Sequence, residues 1–228
     1  MVSVDFFTVP TIRFQILYVF LVLAHERRRI VHFAVTAHPT AEWTAQQMRE
    51  AFPWDSAPRY LLRDRDEIFG QDFVKQVKAM GIKQVLSAPH SPWQRAYVER
   101  VIGTIRRECL DHMIVFNERS LCRHLQRFLE YYHRNRIHLA LEKDTPEPRP
   151  VEPPESGRII SIPVLGGCIT DTSGALPEPS NNLVCRTADA AHSAEALFPV
   201  DWPRPKWGLS PCSISGTAIK GHGSQSLG

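Results

Sequence analysis

Three acidic residues in this chain have neighbours that suit metal-dependent chemistry at phosphorus. Asp64 follows the short apolar run at residues 60–62, which is typical of a strand, so its carboxylate is expected at the end of that strand. Glu99, thirty-five positions later, falls on the polar face of an amphipathic helix that the apolar spacing predicts for residues 92–113. Asp5 lies in a third apolar run near the start of the chain, again in a strand pattern. Acids from three separate elements can meet at one point.

A meeting of these three carboxylates would require a cation. Two like charges about 4 Å apart repel by roughly 1 kcal/mol in water and about 4 kcal/mol near a protein surface. Carboxylate oxygens favour Mg²⁺ or Mn²⁺ over zinc. Two such ions can activate a water or hydroxyl on one side of a phosphodiester and stabilise the leaving oxygen on the other. The three acids therefore predict in-line displacement at phosphorus with two divalent ions as cofactors.

The elements that must position these acids follow from the hydropathy pattern. Apolar runs predict strands near residues 2–9, 14–24 and 29–36, joined by short links as in an antiparallel meander. A helix capped by Thr40 and ending at Ala51 comes next, followed by the Asp64 strand, a helix over residues 70–80 and a strand over 83–86. This order indicates an α/β domain with a mixed central sheet and flanking helices.

Two helices of the second half present basic residues on their polar faces. The first is the helix over residues 92–113, and the second is predicted from Asn117 to about Tyr132, with its leucines and Phe128 turned inward. These basic side chains form a candidate surface for phosphate contacts that do not depend on DNA sequence. The predicted DNA-binding residues are Arg95, Arg100, Arg106, Arg107, Arg123, Arg127, Arg134, Arg136 and His138.

Five sequence blocks occur in an order that resembles a known family. They are Asp5-Phe-Phe-Thr, Arg63-Asp64-Arg-Asp, Ser91-Pro-Trp-Gln-Arg-Ala-Tyr-Val-Glu99-Arg, Arg106-Arg-Glu-Cys-Leu-Asp-His112 and Tyr132-His-Arg-Asn-Arg136-Ile-His138-Leu-Ala-Leu141. The series is similar to the integrase catalytic core of bacterial insertion-sequence transposases, which is also the type of catalytic domain found in retroviral integrases. The resemblance runs from about residue 2 to about residue 167.

The resemblance implies a ribonuclease H-like fold and an Asp-Asp-Glu triad at Asp5, Asp64 and Glu99. The three carboxylates would bind two Mg²⁺ or Mn²⁺ ions. The implied enzyme is a divalent-metal-dependent DNA nucleotidyltransferase and endonuclease that cleaves DNA and transfers strands during transposition or integration. Its implied partners are DNA, both element ends and target, and further copies of the chain as a homo-oligomer on DNA.

Two departures from the family accompany the resemblance. Family members have a helix-turn-helix region before the core, whereas four residues precede Asp5, so the core is expected to be N-terminally truncated. Relatives carry a small amide residue where this chain has Arg95, one helical turn before Glu99. Beside a metal, this arginine is expected to compete for the Glu99 carboxylate.

The chain is expected to divide at about residue 150. Residues 1–150 would form the catalytic core and carry a net charge of +5, which suits a polyanionic partner. Residues 151–228 hold nine of the eighteen prolines and nine of the twelve glycines, and no apolar period is sustained there. They are interpreted as an irregular tail that is largely disordered from about residue 168.

Cysteine usage and apolar run length bear on location. The five cysteines are an odd number without a Cys-x-x-Cys pair, so neither a zinc finger nor a disulfide framework is indicated and a reducing compartment is favoured. The most apolar run, residues 14–24, is too short to span a bilayer as a helix and is interpreted as a buried strand. A cytoplasmic protein without membrane contact is expected.

Other interpretations stay open at this stage. The chain can be a catalytically inactive remnant that binds DNA or transposase subunits, or a stand-alone divalent-metal nuclease. Asp66 is the natural substitute for Asp64 if the register differs, although a solvated loop position is favoured for it. Glu108 and Asp111 are expected to pair with Arg107 or with solvent.

Overall fold

The computed structural model describes residues 1–53, 56–88, 92–150, 153, 158–164, 167 and 169–175. Its central sheet contains β1 (Val2–Pro10), β2 (Ile16–Ala24), β3 (Ile30–Thr36), β4 (Tyr60–Arg63) and β5 (Lys83–Leu86). The strand order is β3-β2-β1-β4-β5. β1, β2 and β3 pair antiparallel, whereas β4 pairs parallel with both β1 and β5. The mixed sheet expected from the sequence is confirmed.

β2 shows why the longest apolar run is a strand. Leu17, Val19 and Leu21 are buried on one face of the sheet, and Phe20 and Val22 are buried on the other. A strand that is covered on both faces has no polar side to alternate with its apolar one, so its sequence is continuously apolar. The prediction of a buried strand within residues 14–24 is confirmed.

Helices cover both faces of the sheet. α1 (Ala41–Ala51) and α2 (Gln71–Ala79) pack on the face of Phe20, and α3 (Ala96–Glu108) and α4 (Glu118–Arg134) pack on the face of Leu17. Thr40 caps α1, because its hydroxyl accepts a hydrogen bond from Trp43 N at 3.1 Å. Asn117 caps α4 in the same way, with Ser120 N at 2.8 Å. The domain therefore has three layers with two separate apolar clusters.

α3 is shorter than the helix predicted for residues 92–113. Short 3₁₀ turns at Pro92–Arg95 and Leu110–His112 lie before and after it. Helical spacing puts Tyr97 on the same apolar stripe as Val101 and Ile105, but its side chain is 46% exposed and packs against His25 and Arg28. An amphipathic ring of this size can rest on polar neighbours at the helix start, which periodicity does not distinguish from burial.

The inward face predicted for the second helix is confirmed in α4. Its buried apolar residues include Leu121, Leu125, Phe128, Leu129 and Tyr132.

The described part of the predicted irregular tail contains a hairpin. β6 (Arg158–Val164) pairs antiparallel with β7 (Ile169–Ala175), so the expectation of irregular structure is wrong for these residues. Adjacent glycines between two runs rich in β-branched residues are a hairpin signal, although neither run has a sustained apolar period. The disorder predicted from about residue 168 falls largely outside the described residues.

The structure bears on the predictions about disulfide bonds and about a membrane-spanning segment. Cys122 is disulfide-bonded, whereas the sequence indicated no disulfide framework, because cysteine spacing identifies such frameworks mainly in small secreted domains. The Cys109 side chain is buried, and its Sγ lies 3.8 Å from Met113 Sδ. Within the part of the chain that the structure describes, every helix is too short or too polar to cross a bilayer.

Candidate active site

Two neighbouring parallel strands bring Asp5 and Asp64 side by side. β1 pairs with β4 through Ser3 opposite Leu62. Extending this register by two residues puts Asp5 level with the residue after the end of β4, which is Asp64. Side chains alternate between faces with period two, so Asp5 shares its face with Phe7, which packs in the α3 and α4 cluster. The sheet therefore presents both carboxylates toward α3.

The start of α3 supplies the third carboxylate and a cation. Val98 and Val101 anchor this helix in the apolar cluster on the sheet. Arg95 occupies the N-cap position of α3 without a capping hydrogen bond from its side chain, and Glu99 lies four residues further along, so the two side chains are neighbours on one side of the helix. The N-terminal end of a helix also favours an acidic side chain such as Glu99.

The Arg95 guanidinium contacts all three predicted triad residues. Its Nη1 lies 3.3 Å from both carboxylate oxygens of Asp5 and 2.9 Å from Asp64 Oδ2. Its Nη2 lies 3.5 Å from Glu99 Oε1. The three acids predicted from separate elements therefore converge, and an arginine stands at the point where they meet.

Asp5 is the most buried of the three acids. Burial raises the pKa of Asp5 to about 6; Arg95 and a hydrogen bond from Phe6 N oppose the rise, and Asp64 and Glu99 add to it. The exposed fraction of the side chain is 12% for Asp5, 25% for Asp64 and 42% for Glu99. One guanidinium thus neutralises only part of the negative charge gathered here.

Backbone hydrogen bonds fix the orientation of the two aspartates. Asp64 Oδ1 accepts from Asp66 N at 3.1 Å, which leaves Oδ2 for Arg95. Asp66 itself is exposed and accepts from Ile68 N, so its predicted role as a solvated loop acid agrees with its position. Arg63 donates to the carbonyl oxygen of Asp64 at 2.8 Å and holds the backbone at this point.

The carboxylates are of the right type to bind a divalent ion, but the space between them is occupied. Three carboxylates are suitable ligands for Mg²⁺ or Mn²⁺. Nevertheless, no group of three or more Asp, Glu, His or Cys side chains among the described residues is arranged to hold a metal. Arg95 fills the space between the carboxylates, donates hydrogen bonds to Asp5 and Asp64 and forms an ion pair with Glu99. The site does not fit a metal pair while this side chain is in place.

The predicted DNA-binding residues lie in three kinds of surroundings. Arg95 belongs to the carboxylate cluster. Arg136 forms two hydrogen bonds with Glu108, Arg134 pairs with Glu130 and Glu147, and His138 is buried. The remaining five have exposed side chains on α3 and α4: Arg100, Arg106, Arg107, Arg123 and Arg127.

The exposed arginines of α4 also affect a neighbouring histidine. Burial, Arg127 and Arg123 lower the pKa of His124, in that order. This face of α4 is therefore electropositive.

Sequence reasoning missed two contributors to this region. Arg63 stacks over the rings of Phe69 and Phe73 and braces the Asp64 backbone, but a basic residue in a strand carries no signal for that role. Glu108 was expected to pair with Arg107 or solvent, and it pairs with Arg136 instead at 2.7 and 2.8 Å. Helical spacing cannot predict this pair, because Glu108 and Arg136 are 28 residues apart in the sequence.

A family model matches the second half of the core. Residues 80–146, less than a third of the chain, match the model described as integrase core domain. No curated protein matches the sequence. The matched segment includes Arg95, α3 with Glu99, and α4. The resemblance to integrase catalytic cores is confirmed over these residues.

Solved structures show a similar fold. A chain in the cryo-EM structure of the simian T-cell lymphotropic virus intasome in complex with PP2A regulatory subunit B56 gamma matches with a TM-score of 0.54 and 12% identity, over 67% of this chain. The matched region is 58% of that chain, so the present chain spans little more than half of its length. The likeness confirms the integrase-type, ribonuclease H-like fold.

Two integrase core domains give lower scores. The HTLV-2 integrase catalytic core domain in complex with magnesium, in its trimeric form, has a TM-score of 0.49 and 13% identity, covering 64% of this chain and 91% of that one. The catalytic core domain of BIV integrase has a TM-score of 0.45 and 16% identity, covering 64% and 89%.

Proposed function

We propose that residues 1–150 form the catalytic core of an integrase-type or transposase-type DNA strand transferase. Its reaction centre is the carboxylate centre, defined here as Asp5, Asp64 and Glu99. The observation that carries the proposal is the convergence of these three side chains, from β1, from the end of β4 and from α3, on one cation. The integrase core match over residues 80–146 supports the same reaction class.

The proposed chemistry is cleavage of a DNA phosphodiester followed by transfer of the strand to a target, as in transposition or DNA integration. A requirement for Mg²⁺ or Mn²⁺, with two ions, belongs to the proposal, because three hard oxygen ligands suit these cations. In the conformation described here, Arg95 holds the same oxygens. An active state therefore requires the Arg95 side chain to leave the centre.

The DNA substrate would lie along the basic side of the second helical layer. The exposed arginines of α3 and α4, including Arg106 and Arg127, would contact the phosphates of this DNA. Element ends and target DNA would both use this surface. The proposal includes a homo-oligomer on DNA, because joining two ends requires more than one subunit, and a cytoplasmic location.

The test is nicking and strand transfer on a supercoiled plasmid with Mg²⁺ or Mn²⁺. The wild type is compared with Asp64→Asn and Glu99→Gln, which keep the shape of each side chain and remove its charge. Asp66→Asn is the matched control, since Asp66 is an exposed acid two residues from Asp64 and does not contact Arg95. Products that disappear in the first two variants and persist in the control support the proposal.

A catalytically inactive, DNA-binding remnant is the second candidate. Arg95 favours it, because this side chain occupies the carboxylate centre and partly neutralises it. A folded wild type that binds DNA and gives neither nicks nor joined products supports this candidate. Nicks without any joined product indicate a stand-alone nuclease instead.

A further inference from the structure

We propose that Arg95 acts as an internal cation that closes the carboxylate centre to divalent metal, so that removing this one side chain creates the metal site. The inference rests on the proposed function, because it takes Asp5, Asp64 and Glu99 as one centre. It concerns binding of an ion and not turnover of DNA. The two ideas can therefore fail separately.

Arg95 occupies the position at which a metal ion would bind. The Nη1 atom of Arg95 lies 2.9 Å from Asp64 and 3.3 Å from each Asp5 oxygen, so it stands between the two aspartates. A cation bound by both aspartates would need the same oxygens at about 2.0–2.1 Å if it were Mg²⁺. A guanidinium nitrogen and a metal ion cannot occupy this point together.

The positive charge of Arg95 also opposes metal binding. The centre gathers three carboxylates, and Arg95 supplies one positive charge at 2.9 to 3.5 Å from an oxygen of each. A divalent ion entering beside this guanidinium meets like charge in a partly buried setting, where repulsion is stronger than in water. It also finds the carboxylate oxygens already used as hydrogen-bond acceptors. Both effects lower the affinity for metal.

The fold holds Arg95 and the two aspartates in the arrangement that excludes the metal. The Arg95 side chain is only 23% exposed, although arginine side chains at helix starts usually extend into solvent. Backbone amides of Phe6 and Asp66 hold Asp5 Oδ1 and Asp64 Oδ1, so both aspartates are oriented before any ligand arrives. Arg95 therefore contacts a fixed acceptor set and not a chance surface neighbour.

The experiment measures Mn²⁺ binding to the full chain by electron paramagnetic resonance and by isothermal titration calorimetry, without DNA. The variants are Arg95→Gln, which removes the charge and shortens the side chain, and Arg95→Gln combined with Asp64→Asn. Arg13→Gln is the matched control, because it removes the same charge from an exposed position in the turn between β1 and β2. It reports any general effect of net charge on metal affinity.

The expected result is a gain of about tenfold or more in Mn²⁺ affinity for Arg95→Gln over the wild type. The gain should be absent in Arg13→Gln and should be lost when Asp64→Asn is added. Equal affinity of the wild type and Arg95→Gln overturns the inference, whether both bind tightly or neither binds. A gain that survives Asp64→Asn also overturns it, since the ion then binds elsewhere.

Thermal unfolding keeps the test decisive if the variant is unstable. Mn²⁺ should raise the Tm of Arg95→Gln by more than it raises that of the wild type, because a ligand that binds only the folded state stabilises it in proportion to its affinity. If Arg95→Gln is unfolded without metal, adding Mn²⁺ should restore its folded circular dichroism spectrum. A variant that stays unfolded in saturating Mn²⁺ contradicts the inference.

The outcome is separable from the strand-transfer result. Tight metal binding by Arg95→Gln with no DNA product upholds the role of Arg95 and rejects strand transfer. DNA products from a wild type that binds Mn²⁺ as tightly as Arg95→Gln uphold strand transfer and reject the role of Arg95.

Discussion

The two ends of α3 each hold an arginine–carboxylate cluster, and the two clusters differ in charge balance. At the start of the helix, Arg95 serves Asp5, Asp64 and Glu99. At its end, Glu108 receives two hydrogen bonds from Arg136 at 2.7 and 2.8 Å. One cluster therefore has three acids for one base, and the other has one acid for one base.

The difference in charge balance separates a cluster that stabilises the fold from a cluster that concentrates negative charge. Hydrogen bonding to Glu108 raises the pKa of Arg136, so the balanced pair favours the charged guanidinium. At the other end, the pKa of Asp5 is raised to about 6 by burial even though Arg95 opposes the rise. The balanced pair behaves as a structural brace, whereas the unbalanced centre has a surplus of acceptors.

The largest effect is expected from breaking the balanced pair. Glu108→Gln leaves the Arg136 guanidinium partly buried without a counter-charge, which should lower the free energy of unfolding by about 2 kcal/mol. Fully buried pairs lose more, and these side chains keep 24% and 31% of their exposure. Urea unfolding measures the change. The exposed acid Asp111 supplies the control, and a loss no larger than that of Asp111→Asn contradicts the structural role.

A pH effect of similar size should arise at His133, near the end of α4. Burial, followed by Arg29, Arg134 and His138, lowers the pKa of His133 to about 4, and its Nε2 accepts a hydrogen bond from Ile30 N. The folded state thus binds this proton more weakly than the unfolded chain, whose histidine pKa is about 6.5. Stability from His133 is present above about pH 6.5 and is lost as pH falls toward 4.

The expected loss from His133 is about 2 kcal/mol between pH 7 and pH 5. Urea unfolding at both pH values, in the wild type and in His133→Asn, isolates it, because asparagine can accept the hydrogen bond from Ile30 N without titrating. The variant should lose less stability on acidification. An identical pH dependence in both proteins would show that the pKa of His133 is not lowered in the folded state.

The smallest effect is expected at the unbalanced centre. Glu99→Gln removes an attraction to Arg95 and, at the same time, a repulsion from Asp5 and Asp64, so the two changes offset each other. The free energy of unfolding should change by no more than about 0.5 kcal/mol. This variant and Glu108→Gln remove the same charge from opposite ends of one helix. Equal losses in the two would erase the distinction between the clusters.

The sequence predicted most of the fold because its patterns are local. Alternating and continuous apolar runs identified the five strands of the central sheet, and cap residues such as Thr40 and Asn117 marked the helix starts. The hairpin at β6 and β7 was missed because its strands lack a sustained period and are identified only by the glycines between them. Local patterns also could not foresee that Tyr97 would be half exposed.

The candidate site was predictable in its members but not in its state. Arg95 and Glu99 are neighbours by helical spacing, so their contact follows from the sequence. The contacts of Arg95 with Asp5 and Asp64 span 90 and 31 residues and depend on the register of β1 against β4 and on the packing of α3. No spacing rule contains that information.

The short pairing of β1 with β4 has a consequence for insertions and deletions. Only two pairs, the second of them Ser3 opposite Leu62, set the level of Asp5 against Asp64. One residue added or removed between the ladder and either aspartate would turn that carboxylate to the α1 and α2 face, and two would displace it by about 7 Å along the strand. Most point substitutions leave this alignment intact, so the centre tolerates changes of side chain far better than changes of length.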